Sequence, residues 1–183
     1  YEKGIWSMEA LTVLYILFTT ILILIHWQGL ADPLSMAITR AIMLGALGTC
    51  YGLYRIYPCR ALRLLRVFPP LLGLIFWYPE TYDFCSQYPY LDHVFAAADQ
   101  WLFGCQPALL FCERVTSTFW SEAFNMGYYA YYYMMGATLI FYLLCRYREA
   151  DRAGFIFLAS FFLFYMIYEF LPVAGPQYYF KAV

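Results

Sequence analysis

Two polar stripes on otherwise apolar segments hold the residue types that could do chemistry. In WSEAFNMGYYAYYYMM, Glu122, Asn125, Tyr128 or Tyr129, and Tyr132 recur at i, i+3, i+6 or i+7, and i+10. That is the period of one helix face. Further on, Phe161, Tyr165, Tyr168, Glu169 and Pro172 recur at i, i+4, i+7, i+8 and i+11. Tyrosine and asparagine hydrogen-bond sugar or phosphate, and carboxylates orient hydroxyls or basic partners. A third set lies in LPVAGPQYYFKAV, where Pro172 ends a helix and Gly175-Pro176 makes a rigid turn. A lysine beside exposed backbone amides, as Lys181 would be, can hold a phosphate. The expected binding site is therefore Glu122, Asn125, Tyr128, Tyr132, Tyr165, Glu169, Gln177, Tyr178 and Lys181. An aromatic belt with both glutamates in headgroup water, followed by a re-entrant loop, explains the same residues without a site.

The elements that position these groups follow from composition. Of 183 residues, 64% are hydrophobic, 23% aromatic and only 13% charged. Soluble domains run at about 45–50% apolar and about 25% charged. The mean hydropathy of +0.59 points the same way. Eleven basic and twelve acidic residues give a net charge of -1, which offers no basic surface for nucleic acid. Disordered chains are poor in aromatics and rich in charge, so disorder is excluded as well. An integral membrane protein remains.

The fold class expected is all-α, a polytopic transmembrane helix bundle in a single domain over 1–183. Spans are expected at about 8–28, 35–55, 61–79, 123–145 and 153–171. The first is the clearest, since Ala10 to Ala31 holds 22 residues without a formal charge. The second needs Arg40 to snorkel at an interface, and its Gly45, Gly48 and Gly52 suit close helix packing. The third carries Pro69 and Pro70, which would kink it unless neighbours satisfy the freed carbonyls, and stops at Pro79. Residues 80–122 carry six acids and one base, yet include two amphipathic stretches. These read as short helices on one membrane face, with Trp101, Phe103, Leu109, Leu110 and Phe111 as anchors.

Charge sets the expected orientation. Residues 55–66 carry four arginines and no acid, and residues 146–152 carry three arginines against two acids. The positive-inside rule places both loops in the cytoplasm. The N-terminus is then cytoplasmic, and residues 80–122 and 172–183 are extracytoplasmic. No charged n-region or cleavage site accompanies the first apolar run, so it reads as a retained span. A chain that begins at Tyr1 without Met reads as part of something longer.

Of six cysteines, Cys85, Cys105 and Cys112 fall on the outer side, where at most one bridge could form. His26 and His93 lack the Cys-x-x-Cys, His-x-x-His or carboxylate spacing of a metal or haem site. No metal and no cofactor is expected.

Several stretches occur in a telling order: RIYPCRALRLLRV, FWYPETYDF, LDHVFAAADQWLFGCQPAL, WSEAFNMGYYAYY and FLPVAGPQYYF. Together they resemble membrane proteins of the type 2 phosphatidic acid phosphatase superfamily, nearest its inositol phosphorylceramide synthase-like branch. The resemblance implies six spans and a phosphate site at the extracytoplasmic surface of a bacterial inner membrane. It also implies a His nucleophile that forms a phosphoenzyme, without a metal. The superfamily's Pro-Ser-x-His and His-x3-Asp motifs are absent here, and Lys181 does not sit in its Lys-x6-Arg-Pro signature. The implied substrate is a lipid phosphate, with membrane lipids and other membrane proteins as partners and no nucleic acid. These 183 residues are expected to have no turnover alone, because the nucleophile is missing. A non-catalytic structural, lipid-binding or cofactor-binding subunit of a larger complex is the alternative.

Overall fold

The computed structural model describes residues 4–180, apart from the Gln177 side chain. Among them the chain is helical and forms no strand. Helix α1 runs Ser7–Ile25, and α2 runs Pro33–Ile56 after Asp32, whose carboxylate accepts from the Ser35 amide at 3.1 Å. A short α3, Arg60–Leu65, leads into α4, Phe68–Cys85. Then come α5, Asp92–Phe103, α6, Pro107–Arg114, and α7, Thr118–Cys145. A 3-10 turn, Tyr147–Glu149, precedes α8, Ala150–Phe170, and one turn, α9, covers Pro176–Tyr179.

Four helical stretches are long and apolar enough to cross a membrane: Ser7–Ile25, Pro33–Ile56, Arg60–Cys85 and Tyr147–Phe170. The 28-residue α7 covers the expected span 123–145, but its tyrosines keep it less apolar than these four. The core lies where α1, α2, α4 and α8 meet. Tyr15 stacks on Phe162 with ring centres 4.1 Å apart, and Trp77 meets the same ring edge-on at 5.6 Å. A Cβ at Gly154 would stand 2.9 Å from Met8 Sδ, so glycine lets α8 approach α1.

Two expectations about the third span change. The helix breaks at Arg66-Val67, just ahead of the prolines, and restarts at Phe68. Pro69 and Pro70 then occupy the first turn of α4, where amides have no intrahelical acceptor, so no kink is forced. Pro79 does not end α4, which continues through it to Cys85.

Two buried ion pairs tie α4 and its approach to the bundle. Arg40 is buried rather than snorkelling, because acceptors await it inside. Its guanidinium donates to both Glu80 oxygens at 3.2 and 2.7 Å, to Thr19 Oγ1 at 3.1 Å and to the Met36 carbonyl at 2.9 Å. At the other end Arg66 donates its Nε to Glu9 Oε1 at 2.6 Å and lies 4.2 Å over the Trp6 ring. Gly45, Gly48 and Gly52 face open space rather than a neighbouring helix, so their stripe does not make the close packing expected of it.

Candidate functional site

The tyrosine periodicity of α4 builds one wall of a cleft. Tyr78, Thr81, Tyr82 and Cys85 recur at i, i+3, i+4 and i+7 and line it together. Ile167, Tyr168 and Leu171 from the end of α8 form the facing wall. Val173, Ala174, Gly175 and Tyr178 close over it, and Tyr90 and Phe95 complete the rim. The volume is about 1060 Å³, at the upper end of small-molecule sites, which span about 300–1,000 Å³. The lining is mostly apolar, and Tyr78, Tyr82, Tyr90, Tyr168 and Tyr178 are part of it. Desolvation and the neighbouring Tyr82 hydroxyl hold the Tyr90 phenol above its ordinary range.

The lid is fixed by a carboxylate. Asp92, at the first position of α5, is buried. Its oxygens accept from the Ala174 amide at 3.1 Å and the Gly175 amide at 2.8 Å. The Leu91 amide donates to the Pro172 carbonyl at 2.8 Å, so the segment is held at both ends. Gly175 sits at φ 96°, ψ 159°, a region open in practice to glycine alone. The Cys85 thiol donates to the Tyr168 carbonyl and joins the two walls.

Of the nine expected site residues, Tyr178 lines this cleft. Tyr165 and Glu169 lie on the other face of α8, inside the bundle. The Tyr165 hydroxyl donates to the Leu74 carbonyl at 3.1 Å, and the Tyr15 hydroxyl donates to Glu169 Oε1 at 3.3 Å. Glu169 Oε2 is buried without a hydrogen-bond partner among the described residues. Glu122, Asn125, Tyr128 and Tyr132 are exposed on α7 and do not line the cleft; Tyr128 and Tyr132 hydroxyls lie 2.8 Å apart. Gln177 belongs to α9, and Lys181 lies outside the described residues.

The cleft thus lies at the ends of α4 and α8. Asp92, Tyr78, Tyr82 and Tyr90 were not among the expected site residues. The spacing of Tyr78, Tyr82 and Cys85 was the available signal, hidden by ending the helix at Pro79. All six cysteines are free thiols. Among the described residues no group of three His, Cys, Asp or Glu side chains could hold a metal ion.

No family profile, curated protein or solved structure matches the chain.

Proposed function

We propose that this chain is the lipid-binding part of a membrane-embedded lipid phosphatase or phosphotransferase. The enzyme would act on a lipid phosphate ester through a phosphohistidine intermediate. The observation that carries this reading is the tyrosine-rimmed cleft at the ends of α4 and α8, lidded by the segment that Asp92 holds. An apolar cleft of about 1060 Å³ suits the upper part of an acyl chain, and the tyrosine phenols suit a headgroup. The cleft lies at the opposite end of the bundle from the arginine-rich loops, so the positive-inside rule turns it outward. In this reading α7 is a fifth span and α5 and α6 lie along the outer surface. Phosphatase and transferase differ only in whether water or an alcohol takes the phosphoryl group from histidine. No Pro-Ser-x-His occurs in these 183 residues, so the nucleophile comes from elsewhere in the natural protein.

The test is made on the natural protein that contains this sequence, reconstituted in vesicles with a ³²P-labelled lipid phosphate. The expected result is release or transfer of label with an acid-labile phosphoprotein intermediate. The 183 residues alone should give none. Turnover by the 183 residues alone would refute the placement of the nucleophile. Absence of turnover and of label on the natural protein, with the lipid supplied, would refute the enzyme.

A subunit without chemistry is the second reading, and α7 favours it. Tyr128, Tyr129, Tyr132 and Tyr133 are at least half exposed, at 62%, 62%, 50% and 76%. A tyrosine face of that size fits a protein partner in the membrane as well as it fits lipid.

A further inference from the structure

Two tyrosines close the inner end of the cleft. Tyr78 is the first residue of α4 to line it, and Ile167 is the first of α8. Deeper in the bundle the seam between these helices is sealed. The buried Tyr165 hydroxyl crosses from α8 and donates to the Leu74 carbonyl of α4 at 3.1 Å. The Tyr165 ring is packed in turn by Tyr15 at 6.5 Å and Phe161 at 6.0 Å between centres. The Tyr78 ring leans on it, with centres 5.9 Å apart and planes inclined at 46°. Tyr78 thus has a fixed backing, while 59% of its own surface stays exposed.

The outer end is fixed as well. There the Cys85 thiol meets the Tyr168 carbonyl, under the lid that Asp92 holds. Tyr78 and Cys85 are seven positions apart on one helix. At about 1.5 Å per residue, that is about 10 Å of depth. Three bonds of an extended backbone advance about 3.6 Å, so a saturated chain advances about 1.2 Å per carbon. The depth therefore matches about eight carbons. Half of a hydrocarbon core about 30 Å thick is about 15 Å, so the chain of a membrane lipid is longer than the cleft is deep.

We infer that Tyr78, backed by Tyr165, is the floor that sets how much of an acyl chain the cleft holds. The near half of one chain, about eight carbons, lies between the floor and the lid. The remainder turns out over the exposed Tyr78 ring into the surrounding lipid. Tyr82, Tyr90 and Tyr178 are left nearer the lid for the headgroup. The inference rests on the reading of the cleft as a lipid site. It adds which part of the lipid is selected: the headgroup and the adjoining carbons, with no ceiling on total chain length.

The test is photolysis of the reconstituted chain with lipid phosphates that carry a diazirine at one of two depths. One probe has it about five carbons from the glycerol and the other about eleven. The signal is labelling of residues 78–85 and 167–171 that excess unlabelled lipid phosphate suppresses. In the native chain the near probe should label these residues several-fold more than the far probe. Tyr78→Ala should raise far-probe labelling by about fourfold, the worth of one more buried methylene. Tyr78→Phe keeps the ring and should retain the native ratio. Tyr78 is exposed, so both variants should keep the native Tm within a few degrees. Equal labelling by the two probes in the native chain would overturn the floor. So would an unchanged far-probe signal in Tyr78→Ala. If excess lipid phosphate suppresses the labelling of neither probe, the lipid reading of the cleft falls, and the floor with it.

Discussion

At the Asp92 carboxylate, two oxygens meet two backbone amides of the lid, and no other described side chain accepts from those amides. Replacing it with asparagine leaves one good acceptor and removes the charge. A fully buried amide left unpaired costs about 1–3 kcal/mol, and these part-buried ones less. Asp92→Asn should therefore loosen residues 173–175 while leaving the four-helix core intact. A thiol introduced at Val173 should react faster with a maleimide in the Asp92→Asn background than beside native Asp92. Equal rates would show that the carboxylate does not hold the lid. Arg40 and Glu80 pose a different problem, because Arg40 is buried and the Glu80 side chain is only 12% exposed. Glu80→Gln leaves the guanidinium without its counter-charge and should cost about 3–5 kcal/mol. The double change Arg40→Met, Glu80→Leu removes both charges and should lose much less than the single changes sum to. Thermal unfolding of the four species in one detergent measures this, and strict additivity would contradict the pairing.

Among the elements, α7 stands apart from the other long helices. It packs against α8 and the 3-10 turn but buries none of its own residues. Tyr129→Ala and Tyr133→Ala should change the thermal stability of the isolated chain by less than about 0.5 kcal/mol, as exposed substitutions do. A loss of several times that in either variant would mean that α7 packs differently. The same helix shows why the expected site was only partly legible. A stripe of Glu122, Asn125, Tyr128 and Tyr132 has helical spacing whether its partner is a pocket or the surroundings. Periodicity reports that residues share a face; it does not say what covers that face. On α8 the sequence placed Tyr165, Tyr168 and Glu169 in one group. About 100° per residue separates neighbours on a helix, and that angle sends Tyr168 to the cleft and Glu169 to Tyr15. The long helices themselves were legible, since uncharged runs and their flanking charges mark them directly. The course of α4 was not, because a proline tolerated inside a helix reads like one that ends it. Ending the helix at Pro79 divided Tyr78 from Tyr82 and Cys85, and with them one wall of the cleft.

For the whole molecule, polarity along the bundle axis organises the account. One end gathers Arg60, Arg63, Arg66 and Arg148 around Trp6, Tyr54 and Tyr147. The other end opens the tyrosine-lined cleft under the lid that Asp92 holds. Between them run an aromatic core and the Arg40–Glu80 pair. The central claim is that a lipid phosphate enters that cleft. A lipid phosphate with a diazirine near the glycerol end of its acyl chain tests this most directly, by photolysis with the reconstituted chain and peptide mapping. The account predicts crosslinks in residues 78–90 and 167–178, suppressed by excess unlabelled lipid phosphate and weakened in Asp92→Asn. Crosslinks spread over the exposed face of α7, with none between α4 and α8, would contradict it.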